Sequence, residues 1–263
     1  MKRIFLTLVF SSILITSVSA QEKNSPLSPD RPSFSTSPVT IRPGYVQFES
    51  GISFSKEKIS YSGREAEISD ISVLGTTVRI GISEMFELMF GGGYLIENEK
   101  SGALKEINRK GLSDLMLGGK FYFLSSANSI MDVGLIFNLR LPFGSSDFKP
   151  ENAEPKLCLA IKHNIADVIE LNYNIGTSYV DAGAEYRNFY SVCCGLPMSE
   201  RIGIYAEHYG FFSKTMMPTY YADAGISYLQ SSNIMVDLSF GKEVTAGTSY
   251  WFIGAGFSLR LPD

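Results

Sequence analysis

The residues that could do chemistry are few: His163, His208, Cys158, Cys193, Cys194 and the run Gly91, Gly92, Gly93. Neither histidine has a serine and a carboxylate at the spacing nucleophilic catalysis needs; His208 stands beside Glu207 and Tyr209 on what reads as an outward face. The three glycines match a phosphate loop only in composition, because no lysine and helix follow them. Cys193 and Cys194 are adjacent, so a strand would point them to opposite faces and keep them from bonding each other. A bridge from Cys158 to either stays open beside the plainer reading of three small apolar side chains, and no metal spacing is visible. The expectation is a protein with no catalytic site, no cofactor and no metal.

Charge is the remaining chemistry, and its placement is regular. Glu49, Arg79, Glu87, Asp114, Lys120, Asp132, Arg140, Lys162, Glu170, Arg187, Glu207, Asp223 and Asp237 all fall on the polar face of segments whose other face is apolar. Charges of both signs can pair across the inside of a sheet tube and wet it, whereas lipid-facing charges are costly. These thirteen residues are the candidate lumen-lining set. Inner glycines such as Gly91, Gly118, Gly134, Gly225 and Gly241 read as relief of crowding on that wall.

The elements that would hold them have a period of two. Met131, Val133, Leu135, Phe137, Leu139 and Leu141 oppose Asp132, Gly134, Asn138 and Arg140, and Ile169, Leu171, Tyr173 and Ile175 oppose Glu170, Asn172 and Asn174. This alternation predicts about twelve strands: 45–56, 70–81, 87–96, 112–123, 129–141, 156–165, 169–178, 187–196, 201–210, 219–229, 233–241 and 250–260. Their lengths suit tilted strands crossing a membrane. Short turns at Ser83–Glu84, Ser125–Ser126, Ala166–Asp167, Ser199–Glu200 and Ser231–Ser232 alternate with longer links at 57–69, 97–111, 142–155, 179–186, 211–218 and 242–249. The fold class is therefore all-β, a membrane-spanning antiparallel up-and-down barrel with periplasmic turns and termini and longer external loops. A soluble sandwich or closed barrel would alternate too, with its apolar face turned inward. Aromatic residues near strand ends, among them Phe86, Phe123, Phe211, Phe212, Tyr250 and Trp251, would form interfacial girdles.

Composition agrees. Of 263 residues, 44% are hydrophobic, 13% aromatic and only 19% charged, with a formal charge of −4, which leaves no basic surface for nucleic acid. Lys2 and Arg3, the apolar run Ile4 to Ile15 and the small exit Val18, Ser19, Ala20 read as a signal peptide over 1–20; that run is too short for a spanning anchor. Residues 21–44, rich in Ser and Pro, read as an irregular periplasmic lead-in or partial plug, followed by the barrel over 45–263.

At this point the chain resembles a family. Asp30, Arg31, Pro32, then Ser37, Pro38, Val39, then Pro43 to Gly51 resemble the opening of the bacterial outer-membrane β-barrel transporter family labelled the MetA pathway of phenol degradation. Gly111 to Leu115, Leu141 to Gly144, Glu200 to Gly203, Ala206 to Gly210 and Tyr221 to Gly225 fit the same pattern, from about Asp30 to Leu261. The resemblance marks Asp30, Arg31, Glu49, Asp114, Glu207 and Asp223 without giving any of them a role. It implies an outer-membrane channel or transporter in a Gram-negative bacterium, for passive passage of small, aromatic or hydrophobic solutes. The alternative is a closed structural or ligand-binding barrel without transport; an outer-membrane hydrolase lacks a nucleophile and base. Expected partners are outer-membrane lipid, the barrel-assembly machinery and a small solute of unknown identity, with oligomeric state open. One departure stands out: the chain ends Leu261, Pro262, Asp263, not on the aromatic residue with which many such barrels finish.

Overall fold

The computed structural model describes residues 27–61, 64–101, 106–124, 131–165, 168–180, 184–245 and 249–262. The expected leader and the turns expected at Ser125–Ser126 and Ala166–Asp167 lie outside them. Thirteen strands follow in order: β1 (Val46–Tyr61), β2 (Arg64–Ser83), β3 (Phe86–Ser101), β4 (Ile107–Leu112), β5 (Leu115–Leu124), β6 (Met131–Leu141), β7 (Glu154–Ile165), β8 (Ile169–Val180), β9 (Glu185–Pro197), β10 (Ile202–Ser213), β11 (Thr219–Ser231), β12 (Ile234–Glu243) and β13 (Ser249–Leu261). Neighbours along the chain pair antiparallel except β4 and β5, which both pair with β3, and β1 pairs with β13 from Val46↔Leu261 to Lys58↔Ser249, which closes the sheet on itself. Closure removes the open edges that a membrane would not tolerate.

The barrel wall is twelve-stranded because β4 and β5 are one crossing interrupted at Ser113–Asp114. β4 pairs with the far half of β3 (Tyr94↔Leu112 to Glu99↔Ile107) and β5 with the near half (Gly91↔Met116 to Phe86↔Phe121). The link after β6 causes the interruption. Ser145 hydroxyl accepts from Leu112 N–H at 2.9 Å, and the Ser145 N–H donates to Leu112 C=O at 3.0 Å, so this link takes the place β6 would have held beside β4. Gly111 leaves the room: a Cβ there would stand 2.1 Å from Ser145 Oγ.

Two expected loops prove to be strand. The 57–69 segment is a hairpin whose ladder runs out to Tyr61↔Arg64, and 97–111 is mostly β3 and β4. β1, β2 and β3 have 16, 20 and 16 residues, well beyond the ~9–11 that cross a bilayer. Outside the hydrocarbon both faces meet water, so alternation fades while cross-strand charges take over. Lys56 pairs with Glu67 at 2.9 Å, and Arg109 pairs with Glu97 and, at 3.1 Å, with Glu99.

Burial is inside out relative to a soluble protein. Along β12, Ile234, Val236, Leu238 and Phe240 are exposed while Met235, Asp237, Ser239 and Glu243 are buried. Leu117, Phe137, Leu159, Ile175, Val192, Ile226, Ile253 and Phe257 continue the exposed apolar belt around the ring. Such a belt is stable only against lipid, so the barrel spans a membrane. Phe86, Phe121 and Phe123 sit near its short-turn rim, and Tyr190, Phe212, Tyr220 and Trp251 near the other. No helix among the described residues is long and apolar enough to cross a membrane.

Candidate functional site

Residues 28–41 make hydrogen bonds or ion pairs with side chains from β1, β2, β3, β5, β8, β9, β10 and β12. A segment that touches eight strands around a closed ring lies within it. It enters at the short-turn end, where Ser28 C=O accepts from Arg79 at 3.1 Å, and rises to Phe34–Thr36 at mid-height. It then descends along β2, β3 and β5 to Gly44, whose N–H donates to Gly81 C=O at 3.3 Å before β1 begins. The Arg31–Pro32 bond is cis.

Lacking a ladder of its own, the segment satisfies its backbone on wall side chains. Asp30 N–H donates to Glu49 (3.0 Å), Phe34 and Ser35 N–H to the two oxygens of Glu207 (2.7 Å each), and Ile41 N–H to Glu87 (2.6 Å). Asn174 accepts from Thr36 N–H at 2.7 Å and donates back to Thr36 C=O at 3.0 Å. Ser35 hydroxyl bonds Ser191 Oγ at 2.7 Å and also Glu207. Carboxylate acceptors make these among the stronger hydrogen bonds available to a backbone amide.

Two buried cations organise the short-turn half. Arg79, 1% exposed, reaches Glu87 at 2.8 Å, Glu49 at 2.9 Å and Asp30 at 3.4 Å. Lys120 reaches Asp30 at 3.0 Å and Glu87 at 3.7 Å. Three carboxylates thus meet two cations, and the backbone donors of Asp30 and Ile41 offset the excess negative charge. Arg31 lies along the wall over β1 and β13 and reaches Asp237 on β12 at 3.0 Å. Glycines open its path: a Cβ on Gly256 would stand 2.2 Å from the guanidinium, and one on Gly51 2.6 Å.

The other charged residues make separate groups. Arg140 pairs with Asp114 at 2.7 Å and with Glu154 toward the long-loop end, and Lys162 pairs with Glu170 near the short turns. Asp132 accepts from the Tyr122 hydroxyl, and Arg187 lies 3.3 Å from Met216 Sδ. Asp223 is buried opposite Glu207 on the neighbouring strand. Of the residues marked by the resemblance, Asp30, Arg31, Glu49 and Glu207 meet in this interior, while Asp114 and Asp223 have no hydrogen bond to residues 28–41.

The inner wall also carries an aromatic sector. Phe34 stacks on Tyr209 (centroids 4.4 Å apart, planes at 11°), and Tyr209 stacks on Tyr221 (5.1 Å, 10°). Tyr221 meets Tyr250 edge-on at 5.8 Å, and Tyr250 meets Phe252 at 6.2 Å. Phe211 and Tyr250 therefore face the interior, not the girdle in which the sequence placed them. Phe34 also packs edge-on against Phe189 and Phe211, and Lys156 Nζ sits 4.5 Å from the Phe189 ring centre. Strict alternation along β9, β10 and β13 carries this signal, but only the barrel shows that rings from four strands and the entering segment form one lane.

Cys158, Cys193 and Cys194 are free, with Cys193 buried and Cys194 on the opposite face. His208 bonds Tyr190 at 3.1 Å on the outer surface, and His163 packs against Tyr173. Among the described residues no group of three or more His, Cys, Asp or Glu side chains is placed to hold a metal.

Solved structures share the fold at low sequence identity. An outer-membrane channel from Pseudomonas putida F1 superposes with a TM-score of 0.64 at 9% identity, covering 85% of this chain and 97% of that one. The translocator domain of the autotransporter NalP from Neisseria meningitidis gives 0.55 at 9% identity, with 81% and 88% covered. No curated protein sequence matches. Residues 29–261, nearly the whole barrel together with the segment inside it, match the family model described as "Putative MetA-pathway of phenol degradation", and the chain belongs to that family.

Proposed function

We propose that this protein is an outer-membrane channel for passive passage of small solutes, and that residues 28–42 are its plug. The observation that carries the reading is how that segment is held. It is held inside the lumen by side-chain bonds and joins no sheet, so it can shift without breaking the wall. The aromatic lane from Phe252 to Phe34 supports apolar or aromatic solutes, since ring faces accept flat apolar bodies with little need for hydrogen bonds. The paired charges would keep the remaining path wetted without a strong preference for either ion sign.

The buried Arg79–Glu87–Lys120 cluster favours a second reading, a closed ligand-binding barrel. Single-channel recording in planar bilayers separates the two. A channel gives reproducible steps that grow in Phe34→Ala, which shortens the plug tip, and that benzyl alcohol reduces more than glycerol does. Verified insertion with no steps from either protein would establish the closed barrel.

A further inference from the structure

A cavity of about 510 Å³ lies between the first limb of residues 27–37 and the wall from β7 to β12, open at the short-turn end. The wall makes this space by being small: Cys193, Gly195, Gly203 and Ser227 present little bulk on three neighbouring strands. Its size falls within the ~300–1,000 Å³ of small-molecule pockets. Leu27 and Met235 supply apolar contact.

The polar groups at its border are unevenly satisfied. Asn172, 9% exposed, donates to Glu170 at 2.9 Å, but its Oδ1 is buried without a partner. The Tyr205 ring lies over Gly225, and its hydroxyl turns to the Asp223 carboxylate on β11. One inward position up the wall, Asp223 Oδ1 is buried and unpartnered as well. Buried acceptors left unpaired cost free energy that a donor-bearing ligand would recover.

Charge bookkeeping gives the sign of that ligand. Arg31 is neutralised by Asp237 and Glu170 by Lys162. Glu207 and Asp223 face each other across β10 and β11, and among the described residues neither makes an ion pair. Glu207 is met only by the neutral donors of Phe34 and Ser35. We infer that this cavity is a binding site for a small organic cation: a protonated amine that donates to Asn172, Tyr205 and Asp223 and seats an apolar body against Leu27 and Met235. Because the pocket opens directly to the short-turn side, occupancy does not require a solute to traverse the barrel.

Calorimetric titration of the full chain, folded in detergent micelles and checked by heat-modifiable gel mobility, tests the site without any transport readout. The probes are benzylamine, benzyl alcohol and benzoate, alike in body and different in head group. Benzylamine binds about tenfold more tightly than the other two. In Asp223→Asn the amine loses most of that preference while the alcohol is unchanged. Gly203→Val fills the pocket and weakens all three. Equal affinity for amine and benzoate, an undiminished amine preference in Asp223→Asn, or unchanged amine binding in Gly203→Val would each overturn the site. A barrel that proves closed to ions leaves these expectations as they are, and one that conducts while failing them refutes the site alone.

Discussion

Arg79 is the residue on which the lumen turns. It is fully buried, spans β1, β2 and β3, and ties the plug carbonyl of Ser28 to the wall. A buried ion pair adds little net stability against an apolar replacement of both partners, but losing one member strands the others. Arg79→Met leaves Asp30, Glu49 and Glu87 facing one another with only Lys120 between them, and should cost on the order of 3–5 kcal/mol. Urea unfolding followed by tryptophan fluorescence from Trp251 would read this as a lower midpoint, and Arg79→Lys should recover part of it. Alternation places Glu49, Arg79, Glu87 and Lys120 on one face from sequence alone. It cannot see that Asp30 meets Glu49, Arg79 and Lys120, because Asp30 belongs to no strand and these partners lie 19 to 90 residues away. Asn174 and Ser191 look like ordinary inner-wall polar residues until the plug supplies Thr36 and Ser35.

At the scale of elements, residues 28–42 fit inside the ring because the wall yields to them. A Cβ on Gly81 would stand 2.0 Å from Arg42 C=O, and one on Gly134 2.9 Å from Pro38 C=O. Gly81→Leu should therefore expel the end of the descending limb while leaving the β1–β2 and β2–β3 ladders in place, since the three atoms nearest its Cβ all belong to Arg42 and Ile41. Limited proteolysis reads the effect as faster cleavage within residues 28–42 from a barrel that keeps its heat-modifiable mobility. The twelve crossings were legible because a lipid-facing wall enforces a period of two, as in β6, β8 and β12. The hairpin of β1 and β2 beyond Lys56 was not, since strands that leave the bilayer no longer need an apolar face. The interruption at Ser113 was hidden for another reason: it depends on Ser145, more than thirty residues on, docking over Gly111.

Over the whole molecule, the division between faces is the central physical claim. Val133 and Val236 point to the belt, and Ser239 points inward on the same strand as Val236. With Cys194→Ala as background, cysteines at Val133 and Val236 should resist a membrane-impermeant maleimide in liposomes and react after solubilisation and unfolding. Rapid labelling of either in the intact bilayer would invert the barrel. The segment inside the ring adds a consequence in time. It is made first, yet Arg31 finds Asp237, and Phe34 and Ser35 find Glu207, only across 206, 173 and 172 residues of later chain. Those partners exist in place only once β10 and β12 have been laid down, and a contact of such separation forms late. Residues 31–35 can therefore take their place only after β10 and β12 stand in the wall, so their seating comes after most of the ring has formed.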